Sequence, residues 1–236
     1  MITLTAEIKV KGENPSPFRL GVSRLGKGLL GETIDNTEVI NKRNILHSES
    51  EIRDRSEIDK PSFGIISTGG SLSFKDNIYR FLNYANVGLL TEGIEIKIFL
   101  ENTIKKTKKQ VGQYYTTDWD YDNDSRSVSV SFKDDLEEWQ DINVEGINYD
   151  PRKPDSKTMS FFYEYLYSKT PPKYKMLPLS LLSQETQTIL REISVVYPML
   201  EEGKLWSQWH KLCESCGLYI YKDEIGQTVC KYAKGS

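Results

Sequence analysis

Cysteine and histidine are scarce in this chain of 236 residues, which holds three cysteines and two histidines. So few cysteines, in an odd number, cannot build a disulfide framework, and we expect free thiols and synthesis in a reducing cytoplasm. No apolar run approaches the roughly 18 residues that a membrane-spanning helix needs. The first residues, MITLTAEIKVKG, lack a positive start followed by an apolar block, so no secretory leader is expected.

Charge of one sign is also lacking, since the formal net charge is only −3. This balance gives no electrostatic reason to expect nucleic acid or a membrane as a partner. The chain has no G-x-S-x-G sequence, and the Gly-rich stretch RLGKGLLG (24–31) lacks the spacing of a phosphate-binding loop. A carboxylate pair for glycoside hydrolysis stays open, because any acidic protein offers candidates. We expect no enzyme activity, no catalytic residues and no cofactor.

Aromatic residues, in contrast, are abundant: fourteen Tyr, eight Phe and four Trp make up 11% of the chain. A disordered chain would contain few of them, so a folded protein is expected. Tyr and Trp suit partly buried surfaces and are enriched at protein interfaces. The composition therefore favours a subunit of an assembly, with homo-oligomers expected, over a free monomer.

Apolar residues alternate with polar ones over much of the first half of the chain. Residues 94–132 contain three such segments, which predict a three-stranded antiparallel meander with one buried face. ITLTAEIKV (2–10) predicts a hairpin with residues 18–22, and SFGIISTGGSLSF (62–74) predicts another. The second hairpin is expected to turn at Gly69-Gly70, a strong two-residue turn signal.

The composition changes after Trp139, where NYDPRKPDS (148–156) has the character of a linker. Helices are predicted over FFYEYLYSK and over roughly 181–194 and 204–216, and a shorter one within 77–90. A final hairpin over LYIYKDEIGQTVCKY turns near Glu224 to Gly226. The sequence thus predicts an α+β protein of antiparallel β-barrel or sandwich elements with a helical insertion and a C-terminal helix-hairpin. The expected domains are a β-rich one over 1–149 and a helical one over 150–236.

Residues 26–60 do not fit either pattern. They are rich in glycine and then highly charged, as in HSESEIRDRSEIDK (47–60), with few large apolar residues together. Long loops in compact domains are usually functional or disordered. We therefore expect an exposed insertion in the β-rich domain, which acts as an arm and orders on contact with a neighbouring subunit.

Two groups of residues suggest metal sites on paper. Asp118, Asp120, Asp122 and Asp124 could offer oxygen ligands to calcium, but an EF-hand loop would need Gly at 123 and a carboxylate at 129, and the chain has neither. An Asn/Asp turn after a strand is the preferred interpretation. KKTKK (105–109) bridges two predicted strands, so a solvated hairpin tip is preferred to a polyanion contact.

The second group has the spacing H-x2-C-x2-C-x13-C of a Cys3His zinc set. Its close pair, however, lies on a helix with an apolar face, where Leu205 and Trp209 are spaced to share that face. Buried thiols in a core explain the same residues without a metal. We expect no metal at these positions: His210, Cys213, Cys216 and Cys230.

Two stretches resemble a known group of proteins. TTDWDYDNDSRSVSVSFKDDLEEWQDINVEGINYDPRKP (116–154) combines a strand with a D-W pair, a D-N-D turn into V-S-V-S, and an acidic turn with a Trp. LWSQWHKLCESCGLYIYKDEIGQTVCKY (205–232) has a helix bearing LCE before two strands joined by a Gly turn. Over about 62–232 the chain resembles the N-terminal region of tail-tip or baseplate proteins of tailed bacteriophages, relatives of tail-hub subunits.

This resemblance implies a virion structural protein assembled in the host bacterial cytoplasm. Such subunits form ring-shaped β-barrels that continue the tail tube, contact other tail or baseplate proteins, and anchor fibres or receptor-binding parts. Family members are often longer, so the chain is expected to be a fragment or the adaptor portion alone. Two alternatives stay open: a carbohydrate- or receptor-binding module of a tail fibre, and a small Cys3His zinc-binding module.

Overall fold

The protein is described by a computed structural model that covers most of the chain. The described residues are 2–13, 33–41, 43–46, 49–54, 63–102, 104–147, 157–195 and 200–233. Within them the fold is α+β, with four α-helices and mostly antiparallel strands. None of the described helices is both long and apolar enough to cross a membrane.

The helices are α1 (Arg80–Asn86), α2 (Met159–Lys169), α3 (Gln184–Glu192) and α4 (Leu205–Cys216). The strands of the first half are β1 (Ile2–Glu13), β2 (Thr33–Ile40), β3 (Glu51–Asp54), β4 (Gly64–Ile65), β5 (Thr68–Lys75), β6 (Glu95–Asn102), β7 (Thr107–Asp122) and β8 (Ser127–Lys133). Those of the second half are β9 (Asn143–Val144), β10 (Lys157–Thr158), β11 (Ser194–Val195), β12 (Gly203–Lys204), β13 (Leu218–Lys222) and β14 (Thr228–Tyr232).

The chain forms two compact units. The sheet unit contains Met1–Arg53 and Gly69–Lys133, and the helical unit contains Asp54–Thr68 and Asp134–Ser236. The main segment of the helical unit therefore begins at Asp134. The sequence analysis instead placed the boundary between the two domains at 149/150. The physical reason is that Leu136 and Trp139 are fully buried in the hydrophobic core of the helical unit.

The sheet unit is built on seven strands in the order β2-β1-β6-β7-β8-β5-β3. The predicted meander is confirmed, because β6, β7 and β8 are consecutive and antiparallel. Its alternation is also confirmed, since Ile96 and Val130 are fully buried while Ser131 is exposed. One face of the sheet thus carries the core, as the period of two predicts.

The sheet curls around this apolar face. Ile40 ends β2, and Ile45 forms a bridge with Phe74 of β5. In a flat sheet β2 and β5 would lie about 24 Å apart at the usual strand spacing. Five extended residues span at most about 18 Å, so the sheet must bend to bring the two strands together. All three side chains belong to one buried cluster.

The expectation for residues 26–60 is wrong over their described part. Two strands, β2 and β3, lie in this segment and belong to the sheet. Glu38, Ile40 and Ile45 are buried, so the segment contributes to the core and is not an exposed insertion there. Glu38 is held by Tyr84, whose hydroxyl donates to its carboxylate at 2.6 Å. Residues 26–32, 42, 47–48 and 55–60 lie outside the described part of the chain.

The predicted turn at Gly69-Gly70 is also wrong. Both glycines lie inside β5, opposite Lys133 and Phe132 of β8. At Gly70 a Cβ would collide with the backbone carbonyl of Glu51 in β3. Glycine is therefore required for the close approach of two strands and not for a turn. The proposed partner of β1 over 18–22 lies outside the described residues.

The helical unit packs α2, α3 and α4 around a core that contains Tyr163, Leu190 and Trp209. The prediction for α4 is confirmed, and the helix ends at Gly217 in the left-handed conformation. The hairpin of β13 and β14 is confirmed as well. The helical spacing of Phe161, Phe162, Tyr165 and Leu166 predicts that they share the buried face of α2. That prediction is wrong in part, because Tyr163 is buried and Phe161 is exposed.

Candidate interaction surfaces

The turn that joins β6 to β7 exposes an apolar side chain next to two lysines. We call residues 104–106 the hairpin tip. Ile104 is 80% exposed, and both Lys105 and Lys106 are exposed beside it. An isoleucine this exposed buries little apolar area in the fold, so its side chain is available to a partner together with the two ammonium groups beside it. The sequence expectation of a hairpin tip at KKTKK is confirmed.

The hairpin tip is ordered by its own backbone contacts. The side-chain Oδ1 of Asn102 accepts hydrogen bonds from the amides of Ile104 and Lys105, each at 3.1 Å. Lys106 has φ of 52°, the left-handed conformation that such turns use. The adjoining strand is fixed to β1, because the Lys108 ammonium pairs with the Glu7 carboxylate. The exposed isoleucine is therefore held on a defined turn.

A groove of about 450 Å³ lies between α2 and α4 of the helical unit. Its apolar lining includes Phe162 and Leu166 from α2 and Leu212 from α4. Phe162 and Leu166 lie four residues apart, so α2 presents an apolar face to the groove, whereas α4 contributes Leu212 among polar side chains. The volume lies within the range of about 300–1,000 Å³ that is usual for ligand pockets.

Gln208 gives this groove an unpartnered hydrogen-bond acceptor. The side chain lines the groove and is only 2% exposed. Its Nε2 donates to the Glu201 carbonyl at 2.9 Å, which fixes the orientation of the amide because a carbonyl can only accept. The Oε1 atom has no partner among the described residues. A buried amide oxygen of this kind ordinarily accepts a hydrogen bond, so it points to an N–H or O–H donor from a bound group.

The rim of the groove is acidic. Glu201 and Glu214 are exposed there, and Lys211 is the cation among the described lining residues. The Lys211 ammonium donates to the Glu201 carboxylate at 3.2 Å. Glu214 lies 3.3 Å from Nε2 of His210 through one carboxylate oxygen. Two carboxylates and one ammonium leave the rim with an excess of negative charge, which favours a cationic partner.

The residues of the zinc-like spacing do not come together as a ligand set. Cys213, Cys216 and Cys230 are buried free thiols. The imidazole of His210 instead packs against Gly64, at whose position a Cβ would overlap the ring. In the described part of the chain, no group of three or more His, Cys, Asp or Glu side chains is arranged to hold a metal ion.

The two thiols of α4 are held in the neutral form. A hydrogen bond with Cys230, together with burial, raises the pKa of Cys213 well above its usual value. Burial, followed by the proximity of Cys230, raises the pKa of Cys216 to about 11. Thiolates are the nucleophiles and the metal ligands, so a protonated buried thiol has neither role at neutral pH. The two cysteines of α4 therefore act here as small core residues.

The acidic series at 118–124 forms an exposed strand end and a turn. Asp118 and Asp120 lie on β7 opposite Ser131 and Ser129 of β8. The Asp122 carboxylate accepts hydrogen bonds from the amides of Asp124 and Ser125, which is an Asx turn. Hydrogen bonds lower the pKa of Asp122, the one from the Ser125 side chain most strongly. The predicted Asn/Asp turn is confirmed.

Two further acids are buried in the helical unit. The Asp134 carboxylate accepts hydrogen bonds from the Ser67 hydroxyl at 3.0 Å and from the amides of Thr68 and Leu136. Burial raises the pKa of Asp134, and these hydrogen bonds oppose the rise. Asp135 pairs with Lys222, as described below. Both acids tie segments of the unit together, so we assign them to structure.

Sequence analysis did not single out Gln208, Glu201 or Glu214. A signal was present, because Gln208, Leu212 and Ser215 recur at i, i+4 and i+7 on α4 and so share one face. Period alone could not separate a groove face from a core face, since α4 also buries Trp209 and Cys213. The lining from α2 completes the groove only in three dimensions.

Comparison with known proteins finds solved tail proteins to which this chain is similar at low sequence identity. No family model and no curated protein matches the chain. The 43 kDa tail protein of prophage MuSo2 from Shewanella oneidensis is similar with a TM-score of 0.43 and 11% identity, over 98% of this chain and 56% of that one. A tail protein from Neisseria meningitidis MC58 is similar with a TM-score of 0.44 and 12% identity, over 97% and 50%. The chain thus spans about half the length of these solved proteins.

Proposed function

We propose that the chain is a structural subunit of a bacteriophage tail, located in the tail tip or baseplate of the virion. It forms ring contacts with further copies of itself and anchors neighbouring tail or receptor-binding parts. The sequence resemblance of residues 116–154 and 205–232 to tail-tip proteins supports this proposal. The first stretch includes the end of β7, all of β8 and the start of the helical unit's main segment, and the second includes α4 with the final hairpin.

The observation that carries the proposal is the ordered hairpin tip. Ile104 is 80% exposed on a turn fixed by Asn102, so the fold presents an apolar side chain to a partner in a defined position. Ile104 therefore supports a chain that works by contact with other proteins. The curled sheet behind the tip supports a β-barrel or sandwich element as the body that presents it.

The proposed role is mechanical and involves no catalysis, metal or cofactor. The buried ionic groups of the helical unit support this role, because each has a structural partner. Asp135 pairs with Lys222, and Asp134 is bonded to Ser67 and Thr68. Catalytic acids and bases are usually placed toward a cleft with room for a substrate. Neither acid lines the groove between α2 and α4.

A second candidate function is favoured by that groove. A module that binds a receptor or carbohydrate would need a concave site with convergent polar groups. The groove has such a shape and an unpartnered acceptor in Gln208, but among its described lining residues Phe162 is the one aromatic side chain. Carbohydrate sites usually need aromatic platforms, so we rank the binding module below the tail subunit.

The native mass of the purified full chain, with metal content measured on the same sample, separates the candidates. The tail-subunit proposal expects a defined ring-sized oligomer that contains no zinc. A monomer that binds glycans on an array would favour the binding module and overturn the ring. A monomer that holds one zinc per chain after dialysis would favour the Cys3His module and overturn it as well.

A further inference from the structure

We propose that the hairpin tip of one copy docks into the groove between α2 and α4 of a second copy. The inference rests on the proposed function in one respect, namely that copies of the chain contact one another. The inference goes further by naming the two surfaces through which the copies make contact. Because the tip and the groove are different surfaces, the contact is head-to-tail, and repetition of such a contact closes a ring or continues as a filament.

The groove defines three requirements for its occupant. Its apolar lining, which includes Phe162, Leu166 and Leu212, requires an apolar side chain. The unpartnered Oε1 of Gln208 requires an N–H or O–H donor. The described rim carries two carboxylates and one ammonium, a balance that favours a cationic occupant.

The hairpin tip meets all three requirements within three consecutive residues. Ile104 supplies an exposed apolar side chain, and the ammonium groups of Lys105 and Lys106 supply both donors and positive charge. The positive charges of Lys105 and Lys106 are therefore opposite in sign to the negative charges of Glu201 and Glu214. Complementary charge of this kind steers association and fixes register more than it adds affinity.

The order of the tip favours docking without rearrangement. The two hydrogen bonds to Asn102 already fix the turn, so little conformational entropy is lost on binding. A three-residue tip covers much less than the roughly 1,200–2,000 Å² of a stable interface. A single tip-groove contact is therefore expected to be weak, and closure of a ring, in which each copy makes two contacts, is what stabilises the assembly.

Two variants disable one surface each. The tip variant carries Ile104→Ser, Lys105→Ser and Lys106→Ser, and the groove variant carries Glu201→Lys and Glu214→Lys. All five positions are exposed, so each variant should keep the melting temperature of the wild type. Leu181→Asp is the matched control, because Leu181 is also an exposed apolar residue, at 67%, and lies outside the groove lining.

Sedimentation velocity of the full-length protein tests the contact. The wild type and Leu181→Asp should form the same oligomer, while the tip variant and the groove variant should each sediment as monomers. Mixed in equal amounts, the two variants should form a dimer and stop there, because an intact groove from one and an intact tip from the other allow a single contact. Oligomers of wild-type size from either variant alone would overturn the proposal. Because a single contact is weak, the mixture is examined at the highest concentration the protein reaches, and a mixture that shows no dimer there would overturn the proposal as well.

The outcome distinguishes this inference from the tail role. If the protein is present in phage tails and both variants still assemble normally, the tail role stands and the tip-groove contact is wrong. If the variants behave as expected but the protein is absent from phage particles, the contact stands and the tail role is wrong. A wild type that is monomeric even at high concentration overturns the second copy as the occupant of the groove.

Discussion

The Lys222 ammonium lies 2.7 Å from Oδ1 of Asp135, with the two side chains only 6% and 9% exposed. Lys222 also donates to the carbonyls of Tyr174 and Gly226, so its charge is bonded on several sides. Burial raises the pKa of Asp135 and lowers that of Lys222, and each charge opposes the shift of the other. The pair joins the start of the helical unit's main segment to its final hairpin.

Removal of one partner should lower the stability of the fold, because the remaining charge would be buried without an opposite charge beside it. We expect Asp135→Ala to lower the free energy of unfolding by about 3–5 kcal/mol, measured by urea denaturation. The double variant Asp135→Leu with Lys222→Met should recover most of this loss, since no charge remains to be buried. A double variant that is as unstable as the sum of the two single variants would contradict the account.

Burial of a charge in the sheet tests the assigned register. Val130 is fully buried on β8, so Val130→Asp should lower the free energy of unfolding by several kcal/mol, about 3 or more. Ile96→Asp on β6 should do the same. Ser131→Asn is the control, because the next residue of β8 is exposed and should change stability by less than about 0.5 kcal/mol. Normal folding of both aspartate variants would show that the register is wrong.

Trp139 and Trp209 should behave as packing residues and not as platforms for a ligand. Both are fully buried, and their ring centroids lie 6.1 Å apart. In a background of Trp119→Phe and Trp206→Phe, iodide should therefore not quench the remaining fluorescence until the protein unfolds. Trp209→Ala should cost about 3–5 kcal/mol of stability. Free quenching in the folded state would refute the packing assignment.

The buried thiols predict a loss of stability in alkali. A thiol has a pKa of about 9 in the unfolded chain, and burial raises that of Cys216 to about 11 in the fold. Because the folded pKa is the higher one, the stabilising effect is complete below pH 9 and is lost as the pH rises through 11. Cys216→Ala should therefore lose less stability between pH 8 and pH 11 than the wild type, while Ser215→Ala should not differ from the wild type. Equal losses in Cys216→Ala and the wild type would contradict this.

The same thiols should be reduced and free of metal. We expect no stoichiometric zinc in the purified protein, and no change of melting temperature when a chelator is added. Their reaction with a thiol reagent should be slow until denaturant is present, because all three are buried. Zinc that survives dialysis, with loss of stability on chelation, would overturn the assignment.

The sequence was enough to predict those helices and strands in which the spacing of apolar residues and the residues at the ends indicate the same element. The meander, α4 with its Gly217 end and the final hairpin belong to this group. Residues 33–40 were missed because β2 is polar at many positions and depends on its pairing with β1. That pairing is non-local, and a charged residue such as Glu38 becomes buried only through its bonds to Arg80 and Tyr84 of α1.

The glycine pair at 69–70 shows a second limit of sequence reasoning. A turn and a close approach of strands both require glycine, so the sequence signal was the same for two structures. Because β2 and β3 belong to the sheet, residues 26–60 cannot act only as an arm for assembly. Replacement of residues 28–56 by a short linker would remove both strands, so the sheet unit should lose its fold instead of losing assembly alone.

The central claim is that this chain is a structural part of a phage tail, and its position in the particle tests it most directly. Phage particles produced by the host that carries the gene can be labelled with gold-conjugated antibody against the purified chain and viewed by electron microscopy. The account predicts label confined to the tail tip or baseplate in intact particles, and none on particles from a deletion strain. Mature, infectious particles that lack the protein, with the chain found elsewhere in the cell, would contradict it.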